Sequence, residues 1–292
     1  SCQWMAEDPA SAGTLYVDGH VRVYHGAAAR LPKHYVSRQR LCLRATTDYW
    51  INAMDGQPFF VVHRPVDPGL LQVLETEIIP RLEREVPNQP SAEALAADPT
   101  LDKFILVFDR EGYSPEALKR FKDRRIGCLT YHKHPGPDWP VDAFKPVQVK
   151  LAHGNEEELL LAERPTVLSN GFSVREIRHL DGSGHQTAVL ATTWKLSDGA
   201  VAAGMFGRWS QENFLKYMRE HYALDRLVSY QVAPMDETTQ VVNPAWRKLD
   251  RAVRSLTAKL HPRLARFGAM NLAGPIDPEA VEPFLKKKAA FL

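Results

Sequence analysis

Three acids stand where a phosphoryl-transfer site could use them. Asp18 lies in the β-rich stretch TLYVDGHVRVYHG (14–26), Asp109 ends the apolar run KFILVFD (103–109), and Glu212 lies in MFGRWSQENFLKYMR (205–219). At about 100° per residue, Met205, Arg208, Glu212 and Arg219 are expected to share one helical face, with both arginines flanking Glu212. A carboxylate so placed can bind a metal while the guanidiniums hold a phosphate backbone. Two aspartates at or near strand ends and one helix-borne glutamate offer hard oxygen ligands, which suit Mg2+ or Mn2+. Two such ions about 4 Å apart would activate the attacking oxygen and stabilise the leaving one in phosphodiester cleavage.

Those acids need elements to bring them together. Asp18-Gly19 reads as the turn of a hairpin over 14–26, with Asp18 near the end of its first strand. A basic loop follows, in which Arg30, Lys33, His34, Arg38, Arg40 and Arg44 all precede the next acid, Asp48. QPFFVVHRP (57–65) supplies a third strand, and helical periodicity runs over 68–86 with Pro80 as a kink. After a Pro- and Ala-containing connection (87–100), the run ending at Asp109 reads as a buried central strand. Ser114-Pro115 starts a helix as N-cap and first position, and IGCLTYH (126–132) is the next strand. From 135 to 195 the character changes: FKPVQVKLA, REIRHL and TAVLATTW are strand-like, with a hairpin turn at 181–184, so this stretch reads as a β-rich insertion. Ser197-Asp198 caps a long helix expected over about 199–222, against the helix-weakening Gly199, Gly204 and Gly207.

The totals fit a globular chain of one or two domains: 292 residues, 44% hydrophobic and 25% charged, with a net charge of +2. No apolar run reaches the roughly 20 residues that cross a bilayer, so no membrane partner is expected. The N-terminal SCQWMAEDPASAG has neither a basic n-region nor an apolar h-region. Cys2, Cys42 and Cys128 form no disulfide framework and no CxxC pair, which favours a reducing, cytoplasmic setting. The positive charge is clustered near 22–44, at 119–125 and in WRKLDRAVRSLTAKLHPRLARF, as suits a polyanion met by selected faces.

Other residues read as structural first. His132-x-His134 has no acid or cysteine nearby in sequence to complete a metal set. His20 could tune the site or contact substrate. Asp48 is a spare acid beside the basic segment, and Glu111 could extend the shell around Asp109. Trp194 could stack on a displaced base, although packing is the commoner role.

The order of three strands, helix, strand, helix, strand, insertion and late helix resembles the DDE transposases, whose core is ribonuclease H-like. In that family the first acid is on the first strand, the second just after the fourth, and the third on a late helix. Asp18, Asp109 and Glu212 match those places. The late helix also resembles the YREK signature of insertion-sequence transposases. Its slots fall here on Met205, Arg208, Glu212 and Arg219, with Met replacing Tyr and Arg replacing Lys.

The resemblance implies an α/β fold, a ribonuclease H-like mixed sheet flanked by helices, with a β-rich insertion before the catalytic helix. It divides the chain into a first part of the core (1–134), the insertion (135–195), the catalytic helix (196–225) and a helical C-terminal region (226–292). It implies Asp18, Asp109 and Glu212 as ligands of two Mg2+ ions, and Arg208, Arg219, Trp209, Lys33, Arg38 and Arg40 as contacts to DNA. The partners would be transposon ends and target DNA, bound by a homodimer in the synaptic complex and associated with the nucleoid. An N-terminal end-binding domain usually precedes the first strand in this family and is expected to be missing here. A catalytically inactive, transposase-derived DNA-binding protein is the alternative. An unrelated phosphatase or nucleotide-binding enzyme using Asp109 is less favoured, because no GxGxxG or GxxxxGK[ST] loop follows any expected strand.

Overall fold

The structure, a computed structural model, describes residues 2–7, 13–26, 31–36, 39–151, 156–206, 209–225, 243–268 and 281–289. The chain divides into two units, Ser1–Pro234 and Met235–Leu292.

The first unit is a mixed α/β structure. A short helix α1 (Cys2–Glu7) leads to β1 (Thr14–Val23), β2 (Lys33–Val36), β3 (Leu41–Ala53) and β4 (Pro58–Arg64). β3 pairs antiparallel with β1, β2 and β4. A helical segment follows as α2 (Leu70–Val73), a π-turn over Leu74–Ile78 and α3 (Ile79–Glu85). The wider π-turn comes immediately before the residues around Pro80, whose missing N–H interrupts α-helical bonding, so the expected kink takes this form. After α4 (Ala92–Ala97), β5 (Phe104–Phe108), α5 (Pro115–Asp123) and β6 (Ile126–Tyr131) form two parallel steps beside β1. The Ser114 hydroxyl accepts from the Ala117 amide at 3.3 Å, as the N-cap expectation requires.

The next strands continue the same sheet. They are β7 (Lys145–Lys150), β8 (Glu156–Val167), β9 (Ser173–Leu180) and β10 (Gln186–Ala191). β10 pairs with β6, and the order across the sheet is β2-β3-β1-β5-β6-β10-β9-β8-β7, with β4 paired to β3. Among the described residues, the helices that follow are α6 (Asp198–Phe206) and α7 (Trp209–Tyr222). Residues 207–208 lie outside the described residues, so the single helix expected over 199–222 is seen as these two.

Several expectations about local structure are corrected. Asp18-Gly19 is not a turn: β1 runs straight through it, pairing from Leu15↔Ala53 to Val23↔Ala45. Gly19 lies opposite Tyr49, and a Cβ there would meet Tyr49 Cε1 at 3.2 Å, so the glycine makes room for a ring. The basic segment is not a loop throughout, since Lys33↔Arg44 to Val36↔Leu41 form a hairpin ladder. Gly204 makes close helix–sheet packing possible, because a Cβ there would meet Leu129 Cδ1 at 3.0 Å.

Two apolar layers flank the sheet. Leu15, Val17, Tyr49 and Ile51 face a large core with α2, α3 and α5 residues such as Val73, Leu82 and Phe121. Tyr16, Val107 and Leu129 face the other side, under Val201 and Met205 of α6. This is the strand period of two acting on both faces.

The second unit contains α8 (Pro244–Gly268) and α9 (Val281–Ala289). Along α8, Trp246, Leu249, Val253, Leu256 and Leu260 recur at intervals of three and four and are exposed. Among the described residues, no helix is long and apolar enough to cross a membrane.

Candidate active site

The sheet brings two of the three acids side by side. In the parallel pairing of β1 and β5, Val17 lies opposite Phe108. The next residue on each strand is an aspartate, Asp18 and Asp109, and neighbouring strands are about 4.8 Å apart. Alternation puts both on the face that carries Tyr16 and Val107, the face covered by α6. Asp109 also closes β5: its Oδ1 accepts from the Arg110 amide at 2.6 Å and caps the short turn Arg110–Gly112. Asp18 Oδ1 accepts from the Gly19 amide at 3.0 Å.

The third acid comes with α7, which is anchored on that face. Across from Asp18 on β3 is Trp50, whose ring meets Phe214 edge-on at 5.6 Å. Two residues on, Asn52 accepts from the buried Gln211 Nε2 at 2.7 Å, and Gln211 also reaches the Trp50 carbonyl at 3.2 Å. Tyr16 fixes α6 by donating to the Gly204 carbonyl at 2.9 Å. Glu212, next to Gln211, is thereby held at the cleft.

Asp18, Asp109 and Glu212 all line one cleft of about 770 Å³, together with His20, Asp67, Glu111 and Arg219. Asp67 is fixed at its edge, accepting from the Tyr49 hydroxyl at 2.5 Å, from Thr47 at 3.3 Å and from the Gly69 amide at 2.8 Å. Burial, with the hydrogen bond to Asp67 and its charge, pushes the Tyr49 hydroxyl well above its ordinary range. The Glu111 carboxyl is also pushed up, first by burial and then by the charges of Asp67 and Asp109.

Among the described residues, no three His, Cys, Asp or Glu side chains are gathered tightly enough to form a ready-made metal cage. The acids therefore share the cleft without closing on one point. In donor chemistry the site still fits hard divalent cations, because Asp18, Asp109 and Glu212 offer carboxylate oxygens to one cleft.

The other expected site residues divide. Arg219 lines the cleft, and its Nε lies 3.2 Å from Asp225 Oδ2 in an ion pair. Met205 does not share the cleft face with Glu212 but is fully buried under the sheet. Lys33 and Arg40 are exposed on the β2–β3 hairpin. Arg38 and Arg208 lie outside the described residues, as does the side chain of Trp209.

Several histidines and acids are structural. Asp48 is buried and bound by Arg22 Nε at 2.8 Å and His63 Nδ1 at 2.6 Å. His132 is buried, 3.2 Å from Glu176 Oε2. That acid is distant in sequence and could not be foreseen from the His-x-His pair. Trp194 is about half exposed (48%), with the Arg175 guanidinium 5.9 Å from its ring centre. Asp67 was missed by sequence reasoning: nothing in RPVDPG marks it, and only the turn after β4 brings it to Tyr49.

No curated protein matches the chain. Among solved structures it is similar to the piggyBac transposase of a synaptic complex with hairpin DNA. That match has a TM-score of 0.40 and 7% identity, covering 73% of this chain and 40% of that one. The chain thus spans less than half the length of this neighbour. The family described as transposase protein matches residues 1–291, and the chain belongs to it.

Proposed function

We propose that this chain carries the catalytic core of a DDE transposase, cutting and joining DNA phosphodiester bonds at transposon ends. The reading rests on one observation: Asp18, Asp109 and Glu212, from β1, the end of β5 and α7, line the same cleft. The strand order β4-β3-β1-β5-β6, antiparallel then parallel, supports a ribonuclease H-like core. The continuation β10-β9-β8-β7 supports the insertion between core and catalytic helix, with the second unit as a helical C-terminal region.

In this reading Asp18, Asp109 and Glu212 hold two Mg2+ ions, with Mn2+ as a substitute, and those ions supply Lewis acidity toward phosphate oxygens when bound. The carboxylates of Asp18 and Asp109, side by side on one face, orient the scissile phosphate against the sheet. Glu212 closes the cleft from α7. Arg219, Arg208 and the exposed Lys33 and Arg40 hold the backbone, with salt-sensitive affinity, and Arg38 and Trp209 belong to the same proposed set of DNA contacts. The strand end released by cutting then attacks target DNA in the same cleft. The YREK-type assignment, the insertion-sequence origin, a homodimer in the synaptic complex and nucleoid association belong to the same proposal.

The test is a nicking assay on supercoiled plasmid with Mg2+ or Mn2+. Asp18→Ala, Asp109→Ala and Glu212→Ala are each expected to lower nicking at least about 10³-fold, while affinity for duplex DNA changes little. Any of the three that still nicks as a purified, folded variant is removed from the site. A wild-type protein that binds DNA and never nicks it would instead make the chain an inactive, DNA-binding derivative.

A further inference from the structure

Beside α7 an imidazole and a guanidinium converge on one carboxylate. His20 Nε2 lies 2.7 Å from Asp225 Oδ1, and Arg219 Nε lies 3.2 Å from Asp225 Oδ2. His20 and Arg219 both line the cleft. His20 stands two residues from Asp18 along β1, so alternation gives the two the same face. A carboxylate only accepts, so Nε2 carries the proton that His20 donates. His20 Nε2 thus donates to one oxygen of Asp225 while the Arg219 guanidinium faces the other as an ion pair, a pairing that the two non-bridging oxygens of a phosphodiester could also accept. The His20 side chain is 5% exposed, whereas Asp225 is 45% exposed and lies just beyond α7. His20 is built into the sheet and Arg219, 36% exposed, stands on α7, whereas Asp225 lies past the helix end and is the part that can leave.

We propose that His20 and Arg219 form a subsite for a backbone phosphodiester of the DNA strand entering the cleft, and that Asp225 is its internal occupant. The proposal rests on the reading of the cleft as a DNA site. Asp225 and a phosphodiester each carry one negative charge, so they compete for the same two donors. While Asp225 occupies the pair, its carboxylate accepts from the buried His20 Nε2. When a strand enters, its phosphate takes both donors and the segment carrying Asp225 is released from the cleft mouth.

The experiment measures binding of the full chain to a fluorescein-labelled 30-base-pair duplex of mixed sequence, by anisotropy, in EDTA so that no cleavage intervenes. Asp225→Ala and Asp225→Asn are expected to tighten binding roughly three- to tenfold. The gain should fall below about twofold when either Arg219→Ala or His20→Ala is added. Asp225→Asn keeps an acceptor for His20, so it reads the charge alone if the alanine variant unfolds. Folded Asp225 variants that bind the duplex no more tightly overturn the proposal, and so does a gain that survives Arg219→Ala. Tighter binding of inorganic phosphate without tighter binding of duplex assigns the pair to a free anion and also overturns it. Absence of duplex binding by every variant sinks the DNA-cleft reading itself, whereas binding without nicking sinks only the catalytic reading and leaves the subsite standing.

Discussion

A methyl group on Gly19 would land 3.2 Å from Tyr49 Cε1, and Tyr49 is not able to give way cheaply. Its ring is buried in the core and its hydroxyl is committed to Asp67. Gly19→Ala is therefore expected to destabilise the protein by about 1–3 kcal/mol, read by urea unfolding, through overpacking. The Tyr49–Asp67 contact shifts with the ring, so the cleft edge is disturbed as well. The same residue shows why the sequence misleads locally. Asp-Gly carries the chemistry of a hairpin turn, and no neighbour in the chain announces that a tyrosine thirty residues later needs the missing side chain. Asp109 was easier to read, because a continuous apolar run stopped at it. Glu212 stood out only through its arginine- and aromatic-rich surroundings.

At the scale of elements, α7 depends on a few contacts with β3. Gln211 and Asn52 are both fully buried, and removing the amide leaves Asn52 Oδ1 without that donor. Gln211→Ala is expected to cost about 1–3 kcal/mol by unfolding. It should also speed hydrogen exchange of α7 amides more than those of β5 and β6, since only the helix loses its anchor. A uniform increase across the sheet would contradict this account of how Glu212 is held. Which elements were legible follows from the same physics. β5, β6 and α5 announce themselves by apolar runs and a clean cap. β3, which opens on the exposed Leu41 and Cys42 just after a basic stretch, is not expected as a strand at all, because the third strand is placed at 57–65. β8 opens on Glu156-Glu157-Glu158, all exposed, and lacks the half-buried alternation that marks a strand.

For the first unit as a whole, a buried ionic network ties β8 and β9 to the end of β6. Glu176 of β9 accepts from Arg178 Nε at 2.7 Å and from Thr166 of β8 at 2.9 Å, and meets His132 beyond β6 at 3.2 Å. Burial opposes ionisation of Glu176, but the hydrogen bonds from His132, Arg178 and Thr166 outweigh it and hold the carboxyl down to about 2. A carboxyl lowered in the folded state stabilises fully above its ordinary value of 4.5 and loses that contribution as pH falls toward 2. Glu176→Gln is thus expected to cost about 3 kcal/mol at pH 7. The gap to wild type should narrow as unfolding is measured from pH 4.5 down toward 2. A gap independent of pH would show that the network holds by shape and not by charge.

The pairing of β10 with β6 has a consequence for anyone who would trim this protein back to β1–β6. Excising β7–β10 would not free a tidy smaller domain. It would strip β6 of its neighbour and lay bare a row of amides and carbonyls on a strand otherwise hidden from solvent, an invitation to zip onto a second truncated molecule. What looks like an ornament in the chain is, in space, the guard on an open flank.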